Sequence, residues 1–153
     1  MSVKIPILIV ANELRCDLLL IDTNVISEKR KGKKANSGVL NFFKSTDPDS
    51  IFLTVQTIGD LRRGVEMLAR RGDKKQSKLL EFWLAEVISE FSDRILDFDE
   101  DCAQIWGRLM CPFTQNPIDK QIAAIALIHG LYVVTRNVDD FAGTGVNIIN
   151  PFI

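Results

Sequence analysis

The strongest periodic signal lies between residues 116 and 141, NPIDKQIAAIALIHGLYVVTRNVDDF. Ile122, Ala123, Ile125, Ala126 and Ile128 make it apolar over most of a helical surface, which predicts a helix buried on several sides. Asn116 supplies an N-cap, Pro117 a first helical residue and Gly130 a stop. The LYVV that follows is a short unbroken apolar run, the mark of a buried strand. A second such run, LLLI ending at Asp22, fits a central parallel strand covered on both faces. Further strands are expected at 51–55, 95–98 and 146–149. Ile58, Leu61, Val65 and Leu68 recur at helical spacing up to about residue 71, behind a capping-box pattern from Thr57 to Asp60. After Gly72-Asp73 a second helix, 75–92, carries Leu79, Leu80, Phe82, Trp83, Val87, Ile88 and Phe91, so the pair reads as a helical hairpin projecting from the sheet. Shorter helices are predicted from Val25, from Asn36 with Leu40 and Phe43 inward, and over 99–110. The alternation of strands and helices predicts an α/β fold with a mainly parallel sheet of about 4–5 strands.

Composition narrows the class. A chain of 153 residues with 46% hydrophobic residues is one domain with enough apolar mass for a core. Its net charge of −1 gives no global attraction to nucleic acid, so any such binding needs a local basic patch. Cys16, Cys102 and Cys111 are odd in number and lack CxxC spacing, which fits reduced thiols in a cytoplasmic protein. The single histidine, His129, stands at a helix end, where it complements the helix dipole. Residues 4–11 resemble a signal core, but Asn12, Glu13 and Arg15 follow at once and no cleavage site appears, so neither secretion nor a membrane span is expected. No phosphate-cradling glycine loop is present, and Ser27 and Ser37 have no histidine base in a suitable setting.

The candidate chemistry lies in the acids. Asp22 follows the first strand, Asp60 opens the helix after the second, Asp119 opens the long apolar helix, and Asp140 follows the strand after it. In an open parallel sheet these positions fall along one edge, where ligands bind. Carboxylates converging there would raise one another's pKa values, and a hard divalent cation resolves the repulsion. Oxygen-only donors suit Mg²⁺ or Mn²⁺, which activate water for attack on a phosphodiester. Each acid also has a structural explanation: Asp60 and Asp119 fit helix starts, and Asp22 and Asp140 fit turns. Pattern alone leaves both readings open.

The segments LLLIDTNVISE, FLTVQTIGDLRRGVE, NPIDKQIAAIALIHGLYVVTRNVDDF and GTGVNIINPF, in this order and spacing, resemble the PIN-domain family. The resemblance is to its VapC-type ribonuclease toxins of type II toxin–antitoxin systems. It implies a PIN-like α/β/α sandwich over residues 18–153, preceded by an atypical extension at 1–17. It also implies Mg²⁺-dependent endoribonuclease activity, often on transfer RNA, with Mn²⁺ as a substitute, a cognate antitoxin and a homodimer. By resemblance Asp22, Asp60, Asp119 and Asp140 are the catalytic, metal-binding acids, and Thr23, Asn24, Thr135 and Asn137 orient them. Asp60 stands where relatives usually carry Glu, one methylene longer. Lys29, Arg30, Lys31, Lys33, Lys34, Arg62 and Arg63 are candidate RNA contacts, with a solvated loop and an ordinary helix face as the alternative. Leu80, Trp83 and Leu84 on the hairpin serve an antitoxin groove or the core, with the core the expected use for most. A catalytically silent RNA- or antitoxin-binding module is the competing class. A dehalogenase-type phosphatase would need an acid where Asn24 stands.

Overall fold

The sheet is built from very short strands, and burial on both faces explains why their sequences are unbroken apolar runs. The structure, a computed structural model, describes residues 17–153, so nearly all of the expected N-terminal extension lies outside the described residues. The elements are β1 (Leu19–Ile21), α1 (Thr23–Lys29), α2 (Ser37–Ser45), β2 (Ile51–Thr54), α3 (Val55–Arg70), α4 (Lys74–Glu90), β3 (Ile95–Leu96), α5 (Glu100–Leu109), α6 (Pro117–His129), β4 (Tyr132–Val134) and β5 (Ile148–Ile149). All pairings are parallel, in the order β3-β2-β1-β4-β5. The sheet thus runs outward in both directions from β1. Leu19 stands opposite both Ile51 and Tyr132.

The alternation of side chains along a strand divides the core in two. Leu19 and Ile21 face a cluster with Val25, Val39, Leu53, Leu61, Val65, Leu84, Val87 and Val134. Leu20 and Val133 face the other layer, with Ile122, Ala123, Ala126 and Phe141. This is the expected α/β/α sandwich. The α3–α4 hairpin packs Leu61, Val65, Leu84 and Val87 on the sheet, with Leu80 and Trp83 partly buried against the same cluster. Met67, Leu79 and Phe82 remain exposed on it. In α2 the buried side chain is Val39, with Phe42 and Phe43 packed beside it and Leu40 half-buried.

Two helix starts differ from expectation. Thr54, not Thr57, caps α3, its hydroxyl accepting from the Thr57 N–H at 3.2 Å. The helix therefore begins directly at the strand end, and Asp60 lies beyond its first turn. Asn116 occupies the N-cap position of α6 in the left-handed region (φ 52°) and makes no side-chain cap. Asparagine tolerates that conformation, which turns its side chain away from the first N–H groups. Gly130 ends α6 at φ 67°, as glycine permits.

Candidate active site

A sheet that diverges on either side of β1 opens a crevice beyond the carboxyl ends of β1 and β4, the switch point where α/β folds bind ligands. Asp22 leaves β1 at that point. Its N–H donates to the Val134 carbonyl at 2.9 Å, tying it to the end of β4. One carboxylate oxygen caps α1 by accepting from the Thr23 N–H at 2.8 Å. The other accepts from the Thr135 hydroxyl at 2.9 Å and the Asn24 amide at 3.3 Å. Asn24 also donates to Thr135 at 3.1 Å, and its carbonyl oxygen accepts from the Arg136 N–H at 3.0 Å. The Asn137 N–H donates to the Thr135 hydroxyl at 3.0 Å. Asp22 is therefore fixed, 4% exposed, in a network spanning α1 and the loop after β4. Burial pushes its carboxyl above the usual range against these hydrogen bonds, and the Asp60 charge pushes the same way.

Asp60, on the α3 face toward α1, accepts from the Thr23 hydroxyl at 3.0 Å, and Thr23 also meets Thr57 at 3.4 Å. Thr23 thus bridges two of the acids. Asp119, in the first turn of α6, is pushed up to about 6, first by burial and then by the charges of Asp22, Asp140 and Asp60. Three other acids act on the Asp119 carboxyl, so the crevice gathers residues 22, 60, 119 and 140 within electrostatic reach. Donors are oxygen only, the chemistry of Mg²⁺ or Mn²⁺. The gathering is looser than the sequence reading required. Among the described residues no three His, Cys, Asp or Glu side chains stand close enough together to chelate an ion. Side-chain rotation would have to bring these carboxylates to coordinating range. The donor set and the charge fit a divalent cation; the enclosure is not preformed.

The basic candidates are mostly engaged. Lys29 lies 4.5 Å over the Phe43 ring and Arg30 5.6 Å over Trp83. Lys31 pairs with Glu28 at 2.6 Å, and Arg62 with Glu81 at 2.9 Å and Glu66 at 3.7 Å. Arg63, Lys33 and Lys34 are exposed without an ion pair among the described residues. His129 is exposed at the end of α6, away from any catalytic arrangement among these acids.

Sequence reasoning missed polar side chains at the α3–α6 contact and in the first turn of α6. Gln56 donates to the Gln121 side-chain oxygen at 3.2 Å, linking α3 to α6, while its own buried oxygen has no partner. Lys120 is buried (8% exposed), and its ammonium donates to the Phe113 carbonyl at 2.7 Å. The available signal was a cation directly after Asp119 in an otherwise apolar helix.

The sequence profile described as the PIN domain matches residues 19–146. Toxin FitB of Neisseria gonorrhoeae is 32% identical over 140 residues, covering 88% of this chain and 99% of FitB. VapC ribonuclease Y4jK of Sinorhizobium fredii is 30% identical over 140 residues, covering 88% of this chain and 98% of Y4jK. The crystal structure of FitAcB from Neisseria gonorrhoeae superposes with a TM-score of 0.78 at 31% identity, covering 88% of this chain and 98% of that one.

Proposed function

This chain belongs to the PIN-domain family, and from that premise we propose that it is a toxin endoribonuclease neutralised by a cognate antitoxin. The relatives named as a toxin and as a VapC ribonuclease support the reading. Within the molecule, the observation that carries it is the charge burden on Asp119, pushed up to about 6 by burial and three further acids. Beside it, Asp22 is fixed by Thr135 and Asn24 and Asp60 by Thr23, and a cation bound among these carboxylates would relieve their repulsion.

In this reading Asp22, Asp60, Asp119 and Asp140 hold Mg²⁺ or Mn²⁺. The ion, when bound, supplies Lewis-acid activation of water and neutralises charge on the phosphodiester. Thr135 and Asn24 hold one Asp22 oxygen and the Thr23 N–H holds the other, so that acid needs little reorganisation. Thr23 steers Asp60 by donating its hydroxyl to the carboxylate at 3.0 Å. The Asn137 backbone N–H holds the Thr135 hydroxyl that in turn holds Asp22. The N-terminal turn of α6 beside Asp119 leaves N–H groups for a phosphate oxygen. Arg63, Lys33 and Lys34 are the cations available to RNA phosphates, while Lys29, Arg30, Lys31 and Arg62 would exchange their protein contacts to join them. Transfer RNA is the proposed substrate, a homodimer the proposed assembly and the cytoplasm the proposed location. No helix among the described residues is long and apolar enough to cross a membrane.

The test is cleavage of total RNA by the purified chain, with and without EDTA, followed by mapping of the cut ends. EDTA is expected to abolish cleavage. Asp22→Asn and Asp119→Asn are each expected to lower it at least 100-fold, the scale of removing one catalytic group, with the circular dichroism spectrum unchanged. Native-like cutting by both variants would sink the reading. A chain that binds RNA yet cuts nothing with either metal would instead be a silent binding module, which the shortened Asp60 favours.

A further inference from the structure

A cavity of about 290 Å³ opens between the start of α6 and the turn after β4, with Phe113, Asn116, Lys120, Asp139, Asp140 and Thr144 in its walls. Asp140 belongs also to the acid group, so the cavity adjoins the crevice. Its size lies at the low end of small-ligand pockets (~300–1,000 Å³), which suits one nucleotide rather than a partner helix. We propose that this cavity seats one unpaired nucleotide of the RNA beside the cleavage point, its phosphate on Lys120 and its base stacked on Phe113. The proposal rests on the ribonuclease reading and deepens it.

Lys120 is the main reason. An ammonium has three donors, and this one makes a single hydrogen bond among the described residues, to the Phe113 carbonyl. No carboxylate of the described residues pairs with it. Burying an ammonium without an anion is costly, and an anion entering the cavity offsets that cost. Phe113 supplies the second half. It is 66% exposed, an aromatic side chain with little structural use, on the loop that Lys120 fastens. Unpaired bases stack on such rings, whereas bases within a duplex are not available to them. Asp139, on the wall formed by the turn after β4, repels a phosphate and accepts from base N–H groups. It therefore orients the nucleotide with its phosphate toward Lys120. The basic run 29–34 lacks these features: Lys29, Arg30 and Lys31 already lie on aromatic rings or a carboxylate, and Lys33 and Lys34 are exposed rather than buried.

Binding is measured by fluorescence anisotropy with a short labelled single-stranded RNA, in EDTA so that cleavage plays no part. A duplex of the same sequence serves as the control. Phe113→Ala is expected to weaken single-strand binding about tenfold and leave duplex binding alone. Lys120→Met keeps the buried stem and is expected to lower the salt slope by about one phosphate contact. Native-like binding by both variants overturns the proposal; if the native chain still cleaves RNA, the ribonuclease reading survives it. Phe113-dependent binding by a native chain that cleaves nothing leaves the nucleotide seat standing and removes the ribonuclease. A native chain without measurable affinity for the single strand overturns the seat. Should Lys120→Met fail to fold, Phe113→Ala decides alone, since that side chain is exposed.

Discussion

Asp119 shows how a single residue reports on the site around it. Its carboxyl titrates near 6 in the folded protein against an ordinary 3.8. Between those values the folded form binds more protons than the unfolded chain, so stability falls as pH rises through this window and stays at its lower level above it. Asp119→Asn removes the charge without changing the shape. The substitution is expected to raise thermal stability near neutral pH by about 1 kcal/mol, because solvent screens a half-buried group and reduces the full conversion of the shift. The gain should vanish below the ordinary carboxyl range, where the native residue is itself protonated. Melting curves across pH measure it, and a variant less stable than native at neutral pH would contradict the repulsion. Asp22 differs because hydrogen bonds oppose its burial.

Among the elements, α2 depends most on a distant partner. Asn36 caps it, accepting from the Gly38 N–H at 3.0 Å and the Val39 N–H at 3.4 Å. The same side chain donates to the Ile153 carbonyl at 2.9 Å and accepts from the Ile153 N–H at 3.2 Å. The chain end therefore lies on the first turn of α2, and Gly38 makes room for it. A methyl group at residue 38 would run into the Pro151 carbonyl and the Ile153 side chain. Gly38→Ala is expected to cost about 1–3 kcal/mol by overpacking. Deleting residues 151–153 should remove most of that further penalty, because the two changes share one contact. Thermal melts of the two single variants and the combination give the coupling; strict additivity would mean that the chain end does not press on α2.

At the scale of the molecule, the α/β/α sandwich turns separate local signals into one crevice. Divalent metal is expected to act on the whole fold, since a ligand that binds only the folded form stabilises it by about 2.7 kcal/mol at 100 times its dissociation constant. Mg²⁺ or Mn²⁺ should raise the melting temperature by roughly 2–4 °C per kcal/mol for a chain of this size. The rise should disappear in Asp119→Asn. An unchanged melting temperature at millimolar metal would show that the acids bind no ion. The same scale explains the basic run. Its sequence reads as a free patch, yet α1 sets Lys29 over Phe43 of α2 and Arg30 over Trp83 of α4. Those rings lie far along the chain, and only packing brings them under the cations.

The sequence by itself determined the sandwich: unbroken apolar runs made buried parallel strands, helical spacing made the layers, and Pro117 and Gly130 bounded α6 as written. It also determined the address of Asp22 at a strand end and of Asp119 at a helix start, because backbone hydrogen bonding and side-chain period are local, whereas Asp60 moved beyond the first turn of α3. Tertiary structure decided what depends on distance between remote residues. Thr54 took the α3 cap from Thr57 because the strand ended one residue earlier than its apolar run suggested. Asn116 gave up its cap to a left-handed backbone. The spacing of the four carboxylates, the burial of Lys120 and the capture of Lys29 and Arg30 follow from sheet order and helix packing. No window of neighbouring residues contains those distances.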